Sequence, residues 1–114
     1  MLSFPSELHY TLEHQWIDDS EPARVGITDL AQNALGAIVY VGLPRVGSRV
    51  VAGQVCGEVE SAKSVSDIYA PCSGTVVALN EAVDADPSIV NESPYDAGWL
   101  FTLDVADRGA LISG

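Results

Sequence analysis

Basic residues are scarce in this chain. Among its 114 residues stand four arginines and a single lysine against sixteen acids, for a formal net charge of −11. Nucleic acid and anionic membrane surfaces both demand basic patches, so the balance argues against either as a partner. It suits a chain that meets basic docking surfaces on other proteins, and equally one that is acidic for solubility alone. Long apolar runs are missing too, and no stretch approaches the length of a membrane-spanning helix. The first residues, Met1-Leu2-Ser3-Phe4-Pro5, contain neither the basic and apolar regions of a signal peptide nor the arginines of a transit peptide. The chain as given therefore reads as cytoplasmic and bacterial in type, with an already processed mitochondrial form as the other reading. Cysteine is limited to Cys56 and Cys72, with no histidine near either in sequence, which is no metal pattern. Both read as small buried thiols in strand-like contexts; their number permits a disulfide, but nothing else points to an oxidising compartment. No nucleophile–base pattern or phosphate loop is present, so the sequence gives no positive sign of an enzyme.

What the chain does have is 47% apolar residues, cut at close intervals by glycine and proline. The length suits one domain, 1–114. Short strands between turns predict a mainly β fold, a sandwich or flattened barrel, with one short helix in the N-terminal half. His9 to Ile17 reads as a strand, and Ala23 to Ile27 can pair with it across the acidic turn 18–22. Thr28 to Leu35 is the convincing helix, capped by Thr28 or Asp29 and stopped by Gly36. Ala37 to Leu43 is an unbroken apolar run, as expected of a strand buried on both faces. Strands follow through Val55 to Val59, Val65 to Ala70, Thr75 to Asn80 and Trp99 to Val105. Asp86 and Pro87 can open a brief helical turn through Val90, and the tail from Ala106 holds one helical turn at most.

Lys63 is the most informative position, because no other lysine exists. Strand-like segments flank it and the residues between, Ser61 to Ser64, are small or polar, which places it at or beside a tight hairpin tip. Such a tip is exposed yet held in a reproducible position by the ladder behind it. Acylation of the amine needs both properties. Glu58, Glu60 and Asp67 surround it with negative potential and offer carboxylates to a basic modifying enzyme. On spacing and exposure alone, however, an ordinary surface lysine in a solvated acidic hairpin accounts for the residue better. His9 and His14, five apart in one strand, would point to opposite faces and so not share a metal. Trp16 and Trp99 read as core or rim aromatics.

The stretch from Gly57 to Pro71, with Glu58-Val59-Glu60-Ser61-Ala62-Lys63 and Ser66-Asp67-Ile68, resembles the lipoylation hairpin of glycine cleavage H proteins. Further segments resemble that family in order: His9-Tyr10-Thr11, Trp16, Val25 to Asp29, Leu35-Gly36, Leu43-Pro44, Val46-Gly47, Ser73-Gly74, Val90-Asn91-Glu92, Pro94-Tyr95 and Gly98-Trp99-Leu100. Each motif is weak; their number and order, across about residues 8 to 104, are specific. The resemblance implies a biotinyl/lipoyl-carrier sandwich of the hybrid barrel-sandwich type, with lipoate as an amide on Lys63. It implies a carrier that catalyses nothing itself. Such a carrier would shuttle an aminomethyl group from glycine decarboxylase (P protein) to aminomethyltransferase (T protein), be reoxidised by dihydrolipoamide dehydrogenase (L protein), and be loaded by a lipoate ligase or lipoyltransferase. It also implies roles for Glu60, Gly47 and Gly74 in lipoylation, the glycines by shaping the hairpin, and for Asp67, Gln15 and Glu13 beside the loaded arm. Carriers of this kind are expected to be monomers.

Several positions depart from the family pattern. Gln15 stands where a glutamate is usual, Ala37 replaces an acid, Asp96 replaces a glycine, and the chain stops where the family continues into C-terminal helices. Those departures motivate a second reading, an H-like relay that donates lipoate to 2-oxoacid dehydrogenases. A biotin carrier is disfavoured because Ala62 and Ser64, in place of methionines, flank the lysine. An unmodified interaction module and a small hydrolase complete the alternatives.

Overall fold

The computed structural model describes residues 4–107, which carry nine strands and three short helices. Strands β1 (His9–Tyr10), β2 (Gln15–Ile17), β3 (Ala23–Ile27), β5 (Arg49–Val50), β8 (Gly74–Leu79) and β9 (Phe101–Val105) form a six-stranded sheet in the order β1-β2-β3-β9-β8-β5. Strands β4 (Ile38–Gly42), β6 (Val55–Ser61) and β7 (Val65–Tyr69) form a three-stranded sheet in the order β4-β6-β7. Every pairing is antiparallel. The two sheets share one core. Val25, Ile27, Val76, Phe101 and Leu103 from the larger sheet meet Ile38, Val41, Val59 and Ile68 from the smaller, all at most 4% exposed. Burial of each such side chain contributes roughly 1.5–3 kcal/mol, so this core is the main source of stability. The result is the expected flattened sandwich.

Helix α1 (Asp29–Leu35) follows the expected logic. The Thr28 hydroxyl accepts from the Ala31 amide, and Gly36 ends the helix at φ +82°. A left-handed φ at the cap costs glycine little and most other residues a good deal. Two further helices, α2 (Glu81–Ala85) and α3 (Ser88–Glu92), bury Val83 and Val90. The first was not foreseen, although Asn80 caps it by accepting from the Ala82 amide and Glu81 and Asp84 occupy its first turn.

Three expectations need correction. His9 to Ile17 is a hairpin of two short strands, since Tyr10 pairs with Trp16 and a turn at Thr11–His14 lies between them. His14 sits in that turn at φ +67°, which removes the shared-strand geometry assumed for the histidines; His9 instead lies 2.8 Å from Asp19. The apolar run at β4 is buried on one face only. A register shift between Ile38 and Tyr40 leaves Val39 and Tyr40 both about half exposed. A bulge of this kind puts two successive side chains on the outer side, which hydrophobicity alone does not reveal. Finally, Cys72 is buried but lies in the turn between β7 and β8, while Cys56 on β6 is only half-buried, and the two are not joined in a disulfide. Trp16 is fully buried against Gly26, its indole N–H donating to the Pro94 carbonyl, and Trp99 is half-buried. The tail beyond Asp107 lies outside the described residues.

Candidate functional site: the tip of the β6–β7 hairpin

Strands β6 and β7 pair from Val55↔Tyr69 to Glu60↔Val65, and the ladder closes with the Ser61 amide donating to the Ser64 carbonyl at 2.8 Å. Only Ala62 and Lys63 then remain as the loop. Two-residue hairpin loops usually need a positive φ so that the turn matches the strand twist. Neither Ala62 nor Lys63 has one. The Ser61 side chain compensates. Its hydroxyl accepts from the Lys63 amide at 3.3 Å and the Ser64 amide at 3.2 Å, and lies 3.3 Å from the Ser64 carbonyl, to which it donates. Ser61 is itself buried, at 5% exposure. A hydroxyl gathering the backbone amides two and three residues on is a turn-stabilising device of serine. Sequence reasoning registered Ser61 only as small and polar; the signal available was a serine heading a tight loop.

Ala62, Lys63 and Ser64 are exposed. Among the described residues Lys63 makes no ion pair, so the acidic neighbours do not hold its amine. Its stem lies elsewhere: Cε is 4.0 Å from where a Cβ on Gly36 would stand. Gly36 belongs to a corner tied down by one side chain. Asn91 on α3 donates to the Gly36 carbonyl and to the Gln32 side chain, each at 2.9 Å, and accepts from the Ile38 amide at 2.9 Å. Ile38 in turn pairs with Ser61. The tip is thus braced from below by the core and from the side by the α1–β4 corner.

Glu60 stands two strand positions before the loop, between Tyr40 on β4 and Val65 on β7 in the ladder. Glu58 pairs with Asp67 and with Gly42, so both acids of β6 and Asp67 share the outer face of the small sheet. Asp67 is exposed, roughly 10 Å along β7 from the loop at about 3.3 Å per residue.

The remaining expected residues lie apart from the tip. Gln15 and Glu13 stand by the β1–β2 turn, whose His14 carbonyl accepts from Thr28 at the start of α1. Lys63 leans on the other end of that helix, roughly 10 Å away at 1.5 Å per residue. Gln15 is 2% exposed; its amide donates to the Glu13 carbonyl at 2.9 Å and its oxygen accepts from Thr11 at 3.2 Å. Its hydrogen-bonding groups serve the turn, so the expectation that its side chain faces the arm does not fit this geometry. Glu13 is exposed. Gly47 and Gly74 lie at the β5–β8 ladder of the other sheet, away from the hairpin they were expected to shape. The Gly47 amide donates to Val76, and Gly74 pairs with Val50. A Cβ on Gly74 would collide with the Asp104 carbonyl, and Gly47 sits in its turn at φ +89°.

A small antiparallel sandwich that presents one rigidly mounted lysine at a hairpin tip has the architecture of a carrier domain for a swinging prosthetic arm. Residues 8–112 match the family described as glycine cleavage H-protein, and the chain belongs to that family. The glycine cleavage system H protein of Micrococcus luteus is 56% identical over 114 residues, covering 97% of this chain and 89% of that protein. The H protein of Mycobacterium avium is 54% identical over 115 residues, covering 99% of this chain and 87% of the relative. The crystal structure of a glycine cleavage system H protein from Mycobacterium marinum superposes with a TM-score of 0.87 at 46% identity, covering 90% of this chain and 87% of that one.

Proposed function

We propose that Lys63 carries lipoate as an amide, and that the chain is the lipoyl shuttle of the glycine cleavage system. The family membership supports the carrier role. The observation that supports Lys63 is its mounting: the only lysine of the chain, exposed on a two-residue loop that the Ser61 hydroxyl holds shut. The site fits the group. An acylating enzyme can approach an exposed amine, and a long arm pivoting beside Gly36 has the length of α1 and the β1–β2 turn within its sweep. When bound, the dithiolane supplies the redox and group-transfer chemistry, and the protein supplies position and recognition. Tethering replaces diffusive encounter by a high effective concentration at each partner's active site.

Glu60 and its acidic neighbours serve the ligase or lipoyltransferase that loads Lys63, as carboxylates beside the target amine. The exposed Glu13 and Asp67 are the carboxylates open to a cationic group on the arm. P, T and L proteins are the partners, met by a monomer in the cytoplasm. The relay alternative gains no support from relatives that are themselves glycine cleavage H proteins.

The deciding experiment is the intact mass of the protein made in lipoate-supplied cells, alongside Lys63→Arg. One added lipoyl group on the parent, absent from the variant together with all glycine-dependent turnover with P, T and L proteins, is expected. No added mass despite a competent ligase would return Lys63 to the status of a surface lysine.

A further inference from the structure

At the base of the same hairpin, a cleft of about 270 Å³ opens between the β4–β5 connection and the start of β6. Arg45 and Arg49 line it, and so do Val51, Val55 and Cys56. Both arginines are exposed, and the valines are 49% and 55% exposed. Burial pushes the Cys56 thiol up to about 11, so at neutral pH the sulfur is one more neutral, apolar surface. Among the described residues no acid lines the cleft. The sequence contains no carboxylate side chain between Asp29 and Glu58, in a chain with sixteen acids. Among the described residues neither arginine has an ion-pair partner, while Arg24 is held by Asp18. Beside the cleft, β5 ends the six-stranded sheet, and among the described residues no further strand pairs with its outer edge.

We propose that this cleft docks an extended acidic segment of a partner protein, its carboxylates on the two guanidiniums and its aliphatic residues against the valines. Arginine clusters recognise acidic motifs through paired, charge-assisted hydrogen bonds. The valine surface gives a small hydrophilic anion nothing to bind, whereas a peptide brings apolar side chains and a backbone for the open edge. One simpler account is that Arg49 guards the edge strand against pairing. It leaves Arg45 unexplained, because Arg45 lies outside the strand, and exposed valines work against it. A second copy of this chain is a poorer occupant, since two chains of net charge −11 repel at long range. The seven residues of β6 separate the cleft from the tip by roughly 20 Å. An occupant here leaves Lys63 uncovered. Nothing in this proposal depends on lipoylation.

The test is an amide chemical-shift titration of the full chain with a blocked pentapeptide alternating aspartate and valine. Saturable shifts confined to residues 44–56 are expected, with residues 61–64 unmoved. Affinity should fall several-fold between about 50 and about 300 mM salt, and be lost in the Arg45→Gln/Arg49→Gln variant, whose exposed substitutions should leave the rest of the spectrum in place. Shifts that do not saturate, or that survive in the double variant, would overturn the proposal. Inorganic phosphate binding as tightly as the peptide would reduce the cleft to a simple anion site. Self-association in sedimentation, abolished in the double variant, would assign it to a second copy.

Discussion

The two ends of the β6–β7 hairpin are built from the same ladder and carry opposite characters. The tip is acidic around one exposed amine, with Glu58, Glu60 and Asp67 on the outer face behind Lys63. Among the described residues no acid lines the cleft at the base, and its two arginines, set among half-exposed valines, have no ion-pair partner. The contrast extends to how each end is held. The tip depends on polar contacts, the Ser61 clamp and the Asn91 ties, because the exposed two-residue loop buries no apolar side chain. The base runs on into the β5–β8 ladder, where the β9 backbone at Asp104 comes so close to position 74 that only glycine fits. One end is fixed by hydrogen bonds that can be removed singly, the other by backbone sterics.

That difference can be tested by breaking each end separately. Gly74→Ala should have the largest effect on the fold, a loss of roughly 1–3 kcal/mol from the clash with the Asp104 carbonyl, read from urea denaturation. The variant that remains folded should still be lipoylated at the parental rate. A slowed rate at unchanged stability would mean that Gly74 acts on the tip after all. Ser61→Ala should give the reverse pattern. It should lose about 1 kcal/mol of stability but several-fold in lipoylation rate by intact mass, because the loop no longer presents Lys63 in one conformation. Equal loss in both measurements would make Ser61 a structural residue only.

A smaller effect distinguishes both ends from the far edge of the larger sheet. Burial acts to raise the Asp18 carboxyl, but hydrogen bonds from Ser20 and Arg24 outweigh it and hold the group below its ordinary value of 3.8. A depressed carboxyl contributes its stability in full above its unfolded value and loses it as pH falls through the folded value. Acid unfolding should therefore include a component below about pH 4 that Asp18→Asn removes. An unchanged acid limb in that variant would exclude Asp18 as its source.

The hairpin was legible in sequence because its signals are local: one lysine, small residues at the loop, and β-formers on both sides. The bracing of the tip was not. Asn91 reaches Gly36 and Ile38 across more than fifty residues, and no period or turn signal encodes such a contact. The hairpin hidden in His9 to Ile17 was missed because strands of two and three residues have no measurable alternation, and because the turn between them contains neither glycine nor proline. Gly47 and Gly74 were recognisable as positions that matter, but their location on the opposite sheet required the register of β5 on β8.

The lean of Lys63 toward Gly36 has a thermodynamic consequence. Forming an amide on the amine removes its charge, and in many acidic settings that would forfeit an ion pair and weaken the fold. Among the described residues no such pair exists to forfeit, and the methylene stem keeps its place beside the helix corner. Loaded and unloaded chains should therefore unfold at the same denaturant concentration. A carrier whose stability does not change with its cargo can be charged, discharged and recharged without biasing the folding equilibrium toward any one state of the arm.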